Sequence, residues 1–326
     1  MKEFIIQKNE ENQRFDKYLK KLLPNATTSF LYKMMRKKNI VLNQKKASGN
    51  EKLAAGDVIR IYLSDETFEK FHADLEVLKQ EFDVLKNLKL KGLKIVYEDA
   101  EMIVADKPYN MLSQKASDKD LSANEYLLGY MIQNGELSFE QFQTFRPSIV
   151  NRLDRNTTGL LLFGKTLEAL QTLSEQVRSH TLQKYYRTIV KGELKTEFQL
   201  KGYLKKDEKN NKVTFFENET EGADYIETGV KPLKCFNGVT LAEIHLVTGK
   251  THQIRLHLST IGHPILGDMK YGDEKINKKY YSLFLPATLL MAGVFSSSLL
   301  SSASPTRSTG LPLLPKSNVV LMLALL

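Results

Sequence analysis

Asn151-Arg152-Leu153-Asp154-Arg155-Asn156-Thr157-Thr158-Gly159, followed by Leu160-Leu161-Leu162-Phe163, is the stretch around which the chain is organised. A polar loop carries one carboxylate between two arginines and runs directly into four apolar residues. A short apolar run entered from turn-forming residues reads as a fully buried strand. That strand would hold the loop, and with it Asp154, in one place. A flanking arginine favours the charged form of an acid. Two readings are open from these residues alone. Asp154 either caps the turn or pairs with Arg152 or Arg155 on the surface, or it is a carboxylate aimed from a fixed loop at a polyanion, as an Asp nucleophile acting on nucleic acid would be.

With 326 residues the chain is long enough for two domains, each with a core of its own. Its formal net charge is +9. Residues 1–65 hold 14 Lys/Arg against 7 Asp/Glu, so most of the excess lies in the first fifth of the chain. That placement is the footprint of a phosphate-binding module, although basic charge can also serve solubility. The single cysteine, Cys235, excludes an internal disulfide and fits a reducing compartment. It reads as a small core residue. His252 and His257 are five apart, a spacing that does not put them on one helix face as a zinc pair requires. No metal site is expected. The N-terminus lacks the apolar segment of a signal peptide, which predicts a cytoplasmic protein.

Along the chain, Phe15, Tyr18, Leu19, Leu22 and Leu23 recur with helical spacing up to Pro24. Thr27, Thr28 and Ser29 offer caps for a second helix with Phe30, Leu31, Met34 and Met35 inward and Lys33, Arg36, Lys37 and Lys38 outward. A strand at 40–43, Lys45-Lys46 and a strand at 58–62 follow. Between Lys33 and Lys46 there are six basic residues and no acid, which favours a surface that tracks phosphates. Residues 66–92 read as a charged connector with helical potential. Strands are predicted over 93–99 and 102–108, a helix over 121–133, and a loop over 134–148. After the Asp154 loop come a helix from Leu167 to about His180 and a strand from Lys184 to Gly192. In the strand Tyr185 reads as cross-strand packing. Thr251 is a candidate cap for a helix with Ile254, Leu258 and Ile261 inward and Gly262 as its stop. Arg255 would lie near the buried edge of that helix, where an arginine needs a carboxylate.

Three of these stretches together resemble the RNA pseudouridine synthases, in particular the branch that modifies large-subunit ribosomal RNA. Asn151–Leu160 is similar to a family pattern His-Arg-Leu-Asp-x-x-Thr-Ser-Gly-Leu, and Lys184–Gly192 to a Lys-x-Tyr-x-Ala-x-Val-x-Gly strand. Gly249–Arg255 is similar to Gly-Arg-Thr-His-Gln-Ile-Arg. Asn151 stands for the family His, Thr158 for Ser, Thr188 for Ala and Lys250 for Arg. Residues 12–64 resemble the small RNA-binding domain named after a small-subunit ribosomal protein, here called S-four-like. The resemblance implies that Asp154 is the nucleophile in isomerising uridine to pseudouridine. Arg255 would pair with Asp154, and Tyr186 would stack on the flipped base and help remove the proton from carbon 5. Arg152 would fill the vacated position or grip the backbone. Whether the carboxylate first attacks the sugar or the ring stays open. RNA contacts are expected at Lys33, Arg36, Lys37, Lys38, Lys45 and Lys46. No redox change or group transfer takes place, so no cofactor is expected.

The implied fold is α+β: a mixed, mostly antiparallel sheet with flanking helices and a central cleft, plus a small N-terminal α/β domain. The expected division is 1–65 as the S-four-like domain, 66–92 as linker, 93–295 as the catalytic domain and 296–326 as a tail. From Leu283 onward only Arg307 and Lys316 are charged, against eight serines and four prolines. Pro and Ser interrupt every apolar run short of a membrane span. The tail is therefore expected to be disordered or read out of frame. The partner class is RNA, ribosomal first and transfer RNA second, with no membrane association and a monomeric state. The alternative function is a catalytically idle RNA-binding or ribosome-assembly protein of the same fold. A metal-dependent nuclease would need several clustered acids, and the loop offers one.

Overall fold

The computed structural model describes residues 1–72, 74–207, 212–280 and 290–295. The low-charge tail 296–326 lies outside them. Two compact units divide the chain: Met1–Ala105, Leu112–Arg152 and Leu161–Ser174 form one, and Asp106–Met111, Leu153–Leu160 and Glu175–Leu326 the other.

The first unit begins with β1 (Lys2–Ile5), α1 (Phe15–Leu22), α2 (Thr28–Arg36), β2 (Ile40–Leu42), β3 (Lys45–Lys46) and β4 (Val58–Ile61). The strands form an antiparallel sheet in the order β1-β4-β2-β3. In α1, Phe15, Tyr18, Leu19 and Leu22 are all buried, because the 3.6-residue period puts them on one face. The Thr27 hydroxyl accepts the Phe30 N–H at 3.2 Å and so caps α2, as the sequence predicts. Leu31 and Met35 then face the core while Lys33, Arg36, Lys37 and Lys38 are exposed. Each large apolar side chain fully buried in this core contributes roughly 1.5–3 kcal/mol. Gly49 has φ +95°, a backbone conformation that calls for glycine, and a Cβ there would lie 3.0 Å from the Met35 Cε.

Residues 66–92, expected as a connector, hold two helices. These are α3 (Asp65–Phe71), capped by Ser64, and α4 (Leu75–Lys86), capped by Asp74. α3 buries Phe68 in the same core as α1 and α2, with its ring stacked on Phe4. The charged residues that suggested a linker are the outer faces of these helices. The strands β5 (Lys94–Glu98) and β6 (Met102–Lys107) flank a turn in which the Asp99 carboxylate accepts two backbone N–H groups. Next come α5 (Ala123–Gln133) and α6 (Phe139–Thr144). The second helix lies in the stretch predicted as loop. Its start is a capping box of Ser138 and Gln141, and Phe82 of α4 packs edge-on against Phe139 and Phe142. β7 (Ser148–Ile149) pairs with β8 (Thr158–Gly164), where Leu160 to Phe163 are fully buried as predicted. α7 (Leu167–Arg178) follows.

The second unit contains β9 (Gln183–Lys191), β10 (Phe198–Asp207), β11 (Lys212–Phe216), β12 (Asp224–Phe236), β13 (Val239–Leu246), α8 (Gln253–Thr260), α9 (Glu274–Tyr280) and β14 (Leu290–Phe295). Its strands run in the order β11-β10-β12-β13-β9-β14, each antiparallel to its neighbours. β12 and β13 are joined through Asn237-Gly238, both at positive φ, the arrangement a tight hairpin demands. β14 also pairs in parallel with the start of β8, Met291 opposite Thr158 and Ala292 opposite Gly159. Parallel and antiparallel pairs thus coexist, giving the α+β class. Among the described residues no helix is long and apolar enough to cross a membrane.

Three expectations are corrected. Cys235 is exposed near the hairpin end of the β12–β13 ladder, its thiol directed at the Leu194 carbonyl, where Leu233, Lys234 and Cys235 are all exposed after a register shift at Pro232/Lys234. Thr251 does not cap α8: His252 occupies the N-cap position with φ +57° and makes no side-chain cap bond. Ile261 is exposed because the helix has ended before it, while Ile254 and Leu258 are buried and Gly262 makes the left-handed stop.

Candidate active site

The loop between β7 and β8 carries Asp154. Leu153 and Thr157 are buried on either side of it, and the Thr157 N–H donates to the Asp154 carbonyl at 3.0 Å. The loop is therefore a fixed turn anchored at both ends, and the Asp154 side chain keeps 39 % of its surface exposed. A second anchor lies at the end of β6. The Lys107 ammonium, fully buried, donates to the carbonyls of Pro108 at 3.1 Å, Met111 at 2.8 Å and Arg155 at 3.1 Å. Burial lowers its pKa to about 8, opposed by the negative charges of Asp154 and Asp106. A lysine at the end of a strand is thus spent on holding the loop that presents the carboxylate.

Arg255 approaches from the middle of α8, whose first turn is fastened by a buried glutamine. The Gln253 side-chain oxygen accepts from the Thr248 hydroxyl at 2.9 Å and the Lys250 N–H at 3.1 Å. Its nitrogen donates to the Glu227 carbonyl and the Thr228 hydroxyl, both at 2.9 Å. From this base Arg255 makes a bidentate pair with Asp268, Nε to Oδ2 at 2.7 Å and Nη2 to Oδ1 at 2.9 Å. The remaining nitrogen, Nη1, donates to Asp154 Oδ2 at 3.3 Å. Burial opposes the charge on Arg255, yet its bonds and attraction to Asp268 and Asp154 raise its pKa. Burial likewise opposes the charge on Asp268, but the Arg255 bonds and the N–H groups of Tyr271 and Lys270 hold its pKa below the usual carboxylate range. Asp268 is a fixed counterion that leaves one donor of Arg255 free for Asp154.

His252 and Tyr271 complete the surroundings. His252 Nε2 lies 4.0 Å from Asp154 Oδ2, and its Nδ1 is 3.0 Å from the Tyr271 hydroxyl. Burial lowers the His252 pKa, opposed by Asp154, so the ring is neutral at pH 7 and adds no second cation. The Tyr271 ring lies beneath the Arg255 guanidinium, 5.1 Å from its centroid. Tyr186, on β9, is buried; burial and then the charge of Asp154 raise its pKa, so the phenol stays protonated.

The structure thus brings Asp154, Arg255 and Tyr186 into one site. Arg152 is exposed on the same loop. Lys33, Arg36, Lys37, Lys38, Lys45 and Lys46 are exposed residues of the first unit. Tyr185, read as cross-strand packing, stacks on His245 opposite it, with ring centroids 4.7 Å apart. Sequence reasoning missed Asp268, Lys107, His252 and Tyr271. Gly267-Asp268 stood thirteen residues after Arg255, and a lysine closing the apolar strand Met102–Ala105 was a detectable anomaly. Among the described residues no group of three or more His, Cys, Asp or Glu could hold a metal ion.

The family model described as RNA pseudouridylate synthase matches residues 101–260, a span that includes Asp154, Tyr186 and Arg255. A ribosomal large subunit pseudouridine synthase C of Vibrio vulnificus is 34% identical over 83% of this chain and 80% of its own length. The chain belongs to the RNA pseudouridine synthase family. An uncharacterized RNA pseudouridine synthase of Mycoplasma pneumoniae is 32% identical over 82% of this chain and 80% of its own length. Among solved structures, human RNA pseudouridylate synthase domain containing 4 is 19% identical, with a TM-score of 0.49 over 65% of this chain and 86% of that one. For this pseudouridine synthase, an isomerase, the chemistry must be accomplished without net oxidation.

Proposed function

We propose that this pseudouridine synthase acts on large-subunit ribosomal RNA, with Asp154 as its nucleophile. The observation that carries the mechanism is the Arg255 bridge: a guanidinium locked on buried Asp268 offers its last nitrogen to a half-exposed Asp154. That arrangement aims Asp154 while leaving it reachable. In the reaction the bond from N1 of uracil to the anomeric carbon breaks and one from C5 to that carbon forms. C5 loses a proton and N1 gains one, so atoms and electrons balance without a co-reactant. The target base must first leave its stack, at a cost of a few kcal/mol.

Tyr186, buried and protonated beside Asp154, offers a ring for the flipped base. Exposed Arg152 grips the backbone or fills the gap left in the stack. The Vibrio relative is named for the large ribosomal subunit, which supports that substrate class. The first-unit module, with its surplus of lysine and arginine, supplies attraction to a structured RNA. In a tritium-release assay with ribosomal RNA labelled at C5 of uridine, the wild type frees label and Asp154→Asn does not. Release by the variant at the wild-type rate would remove Asp154 from the mechanism.

A further inference from the structure

Lys184 lies on β9 two residues before Tyr186, so both side chains leave the strand on the same face, ~7 Å apart along it. Several lysines of the second unit lie beside an acid. Lys191 is 2.9 Å from Asp273, Lys250 is 2.7 Å from Asp224 and Lys201 is 3.6 Å from Glu227. The Lys184 ammonium has no ion-pair or hydrogen-bond partner among the described residues. Burial lowers its pKa, and nothing among the described residues compensates the charge. An uncompensated half-buried ammonium is costly, and a protein that keeps one is presenting it to an anion.

The position of that amine is built into the neighbouring loop. A Cβ placed on Gly249 would lie 3.0 Å from the Lys184 Nζ. Gly249 does not have the positive φ that would by itself call for glycine; what it supplies is clearance for the ammonium. Three residues later the same loop presents His252 to Asp154. Lys184 therefore stands between the Tyr186 strand and the loop that delivers His252, in the part of the unit where the reactive nucleotide must lie.

We propose that the Lys184 ammonium binds a backbone phosphate of the RNA at or next to the nucleotide held against Tyr186, and that Gly249 keeps this site open. The proposal rests on the assignment of the reaction to this site. A phosphodiester is the anion that every RNA substrate carries, and a charge-assisted bond to it would supply a partner that the described residues do not give Lys184. The contact carries no sequence information; it sets the register of the strand so that the base meets the tyrosine.

The test uses the full chain, an unmodified large-subunit rRNA transcript, and binding by fluorescence anisotropy across a potassium chloride series. Lys184→Gln should reduce the steepness of log K against log salt by about 0.7–0.9, one phosphate contact, and raise KM more than it lowers kcat. Lys184→Arg should keep the wild-type slope. Gly249→Ala intrudes only on the flexible end of a lysine, so the fold should tolerate it. It should weaken binding on its own but add nothing in the K184Q background. An unchanged salt slope and KM in a folded Lys184→Gln protein would overturn the proposal. So would a Gly249→Ala effect that persists undiminished in the K184Q background, or a loss confined to kcat. Should Lys184→Gln fail to fold, Gly249→Ala alone decides: wild-type slope and affinity overturn the phosphate site. If the wild-type protein releases no tritium while the slope still falls, the assigned reaction fails and the phosphate contact stands.

Discussion

The charges around Asp154 and those between Lys33 and Lys46 are arranged in opposite ways. Beside Asp154 the Arg255 guanidinium is matched: it lies, largely buried, between two carboxylates, and one of them, Asp268, is itself buried and accepts several donors. On α2, the turn after it and β3, six cations stand exposed with no acid among them in the sequence. Attraction in a partly desolvated site resists salt, whereas exposed charges more than a Debye length from their target are screened. On the proposed function, the first arrangement aims a group and the second gathers a polyanion.

Asp268→Asn should show the largest effect of this contrast. It removes the fixed counterion and leaves a buried guanidinium underpaired, a class of change that costs about 3–5 kcal/mol. Thermal melting should fall by roughly 10 °C, from about 2–4 °C per kcal/mol for a chain of this size, and tritium release should drop with it. A variant that melts and turns over like the wild type would mean the bridge is no more than a surface pair.

Lys107→Met ranks second. The anchor of the Asp154 loop is lost, and a misplacement of about 1 Å can cost on the order of 100-fold in rate. The pH dependence gives a separate reading. The folded pKa of about 8 lies below the unfolded 10.5, so between them the unfolded chain binds more protons and stability rises with pH. The wild type should therefore gain stability relative to Lys107→Met as pH increases from about 8 towards 10 in denaturant titrations, and lose that gain as pH falls through 8. A flat difference would show that burial does not disfavour the charge.

The smallest effect is expected at the exposed cations. The double variant Lys37→Gln/Lys38→Gln should weaken RNA binding in low salt and lower the salt slope by about 0.7–0.9 for each phosphate contact removed. At saturating RNA the rate should hold. A large loss of kcat at saturation would erase the distinction between gathering and aiming.

Local rules went far in some elements. α1 and α2 lie where apolar spacing and the Thr27 cap predict them, because a helix face and its cap are written in residues three and four apart. The buried strand after Asp154 was legible for the same reason: four apolar residues in a row admit little else. The helices at 65–86 were less so, since Phe68, Phe82 and Leu85 are sparse among charges and their partners are far along the chain. α6 was hidden by its length of six residues, too short for a period to show. Cys235 went wrong because a position near the end of a ladder depends on register that no local pattern fixes.

The sequence by itself determined the family pattern, the identity of the lone carboxylate on a loop, and the expectation that Arg255 needs an acid. Those are properties of short runs of residues, and each run carries its own chemistry. Only the tertiary structure decided which acids Arg255 meets: Asp268 in two bonds and Asp154 in one, across separations of 13 and 101 residues. It also decided that Lys107 would be buried beneath the Asp154 loop, and that Gly249 would make room for Lys184. Hydrogen bonds and ion pairs are effective over a few ångströms of space, and nothing in linear order records which distant residues the fold will bring that close.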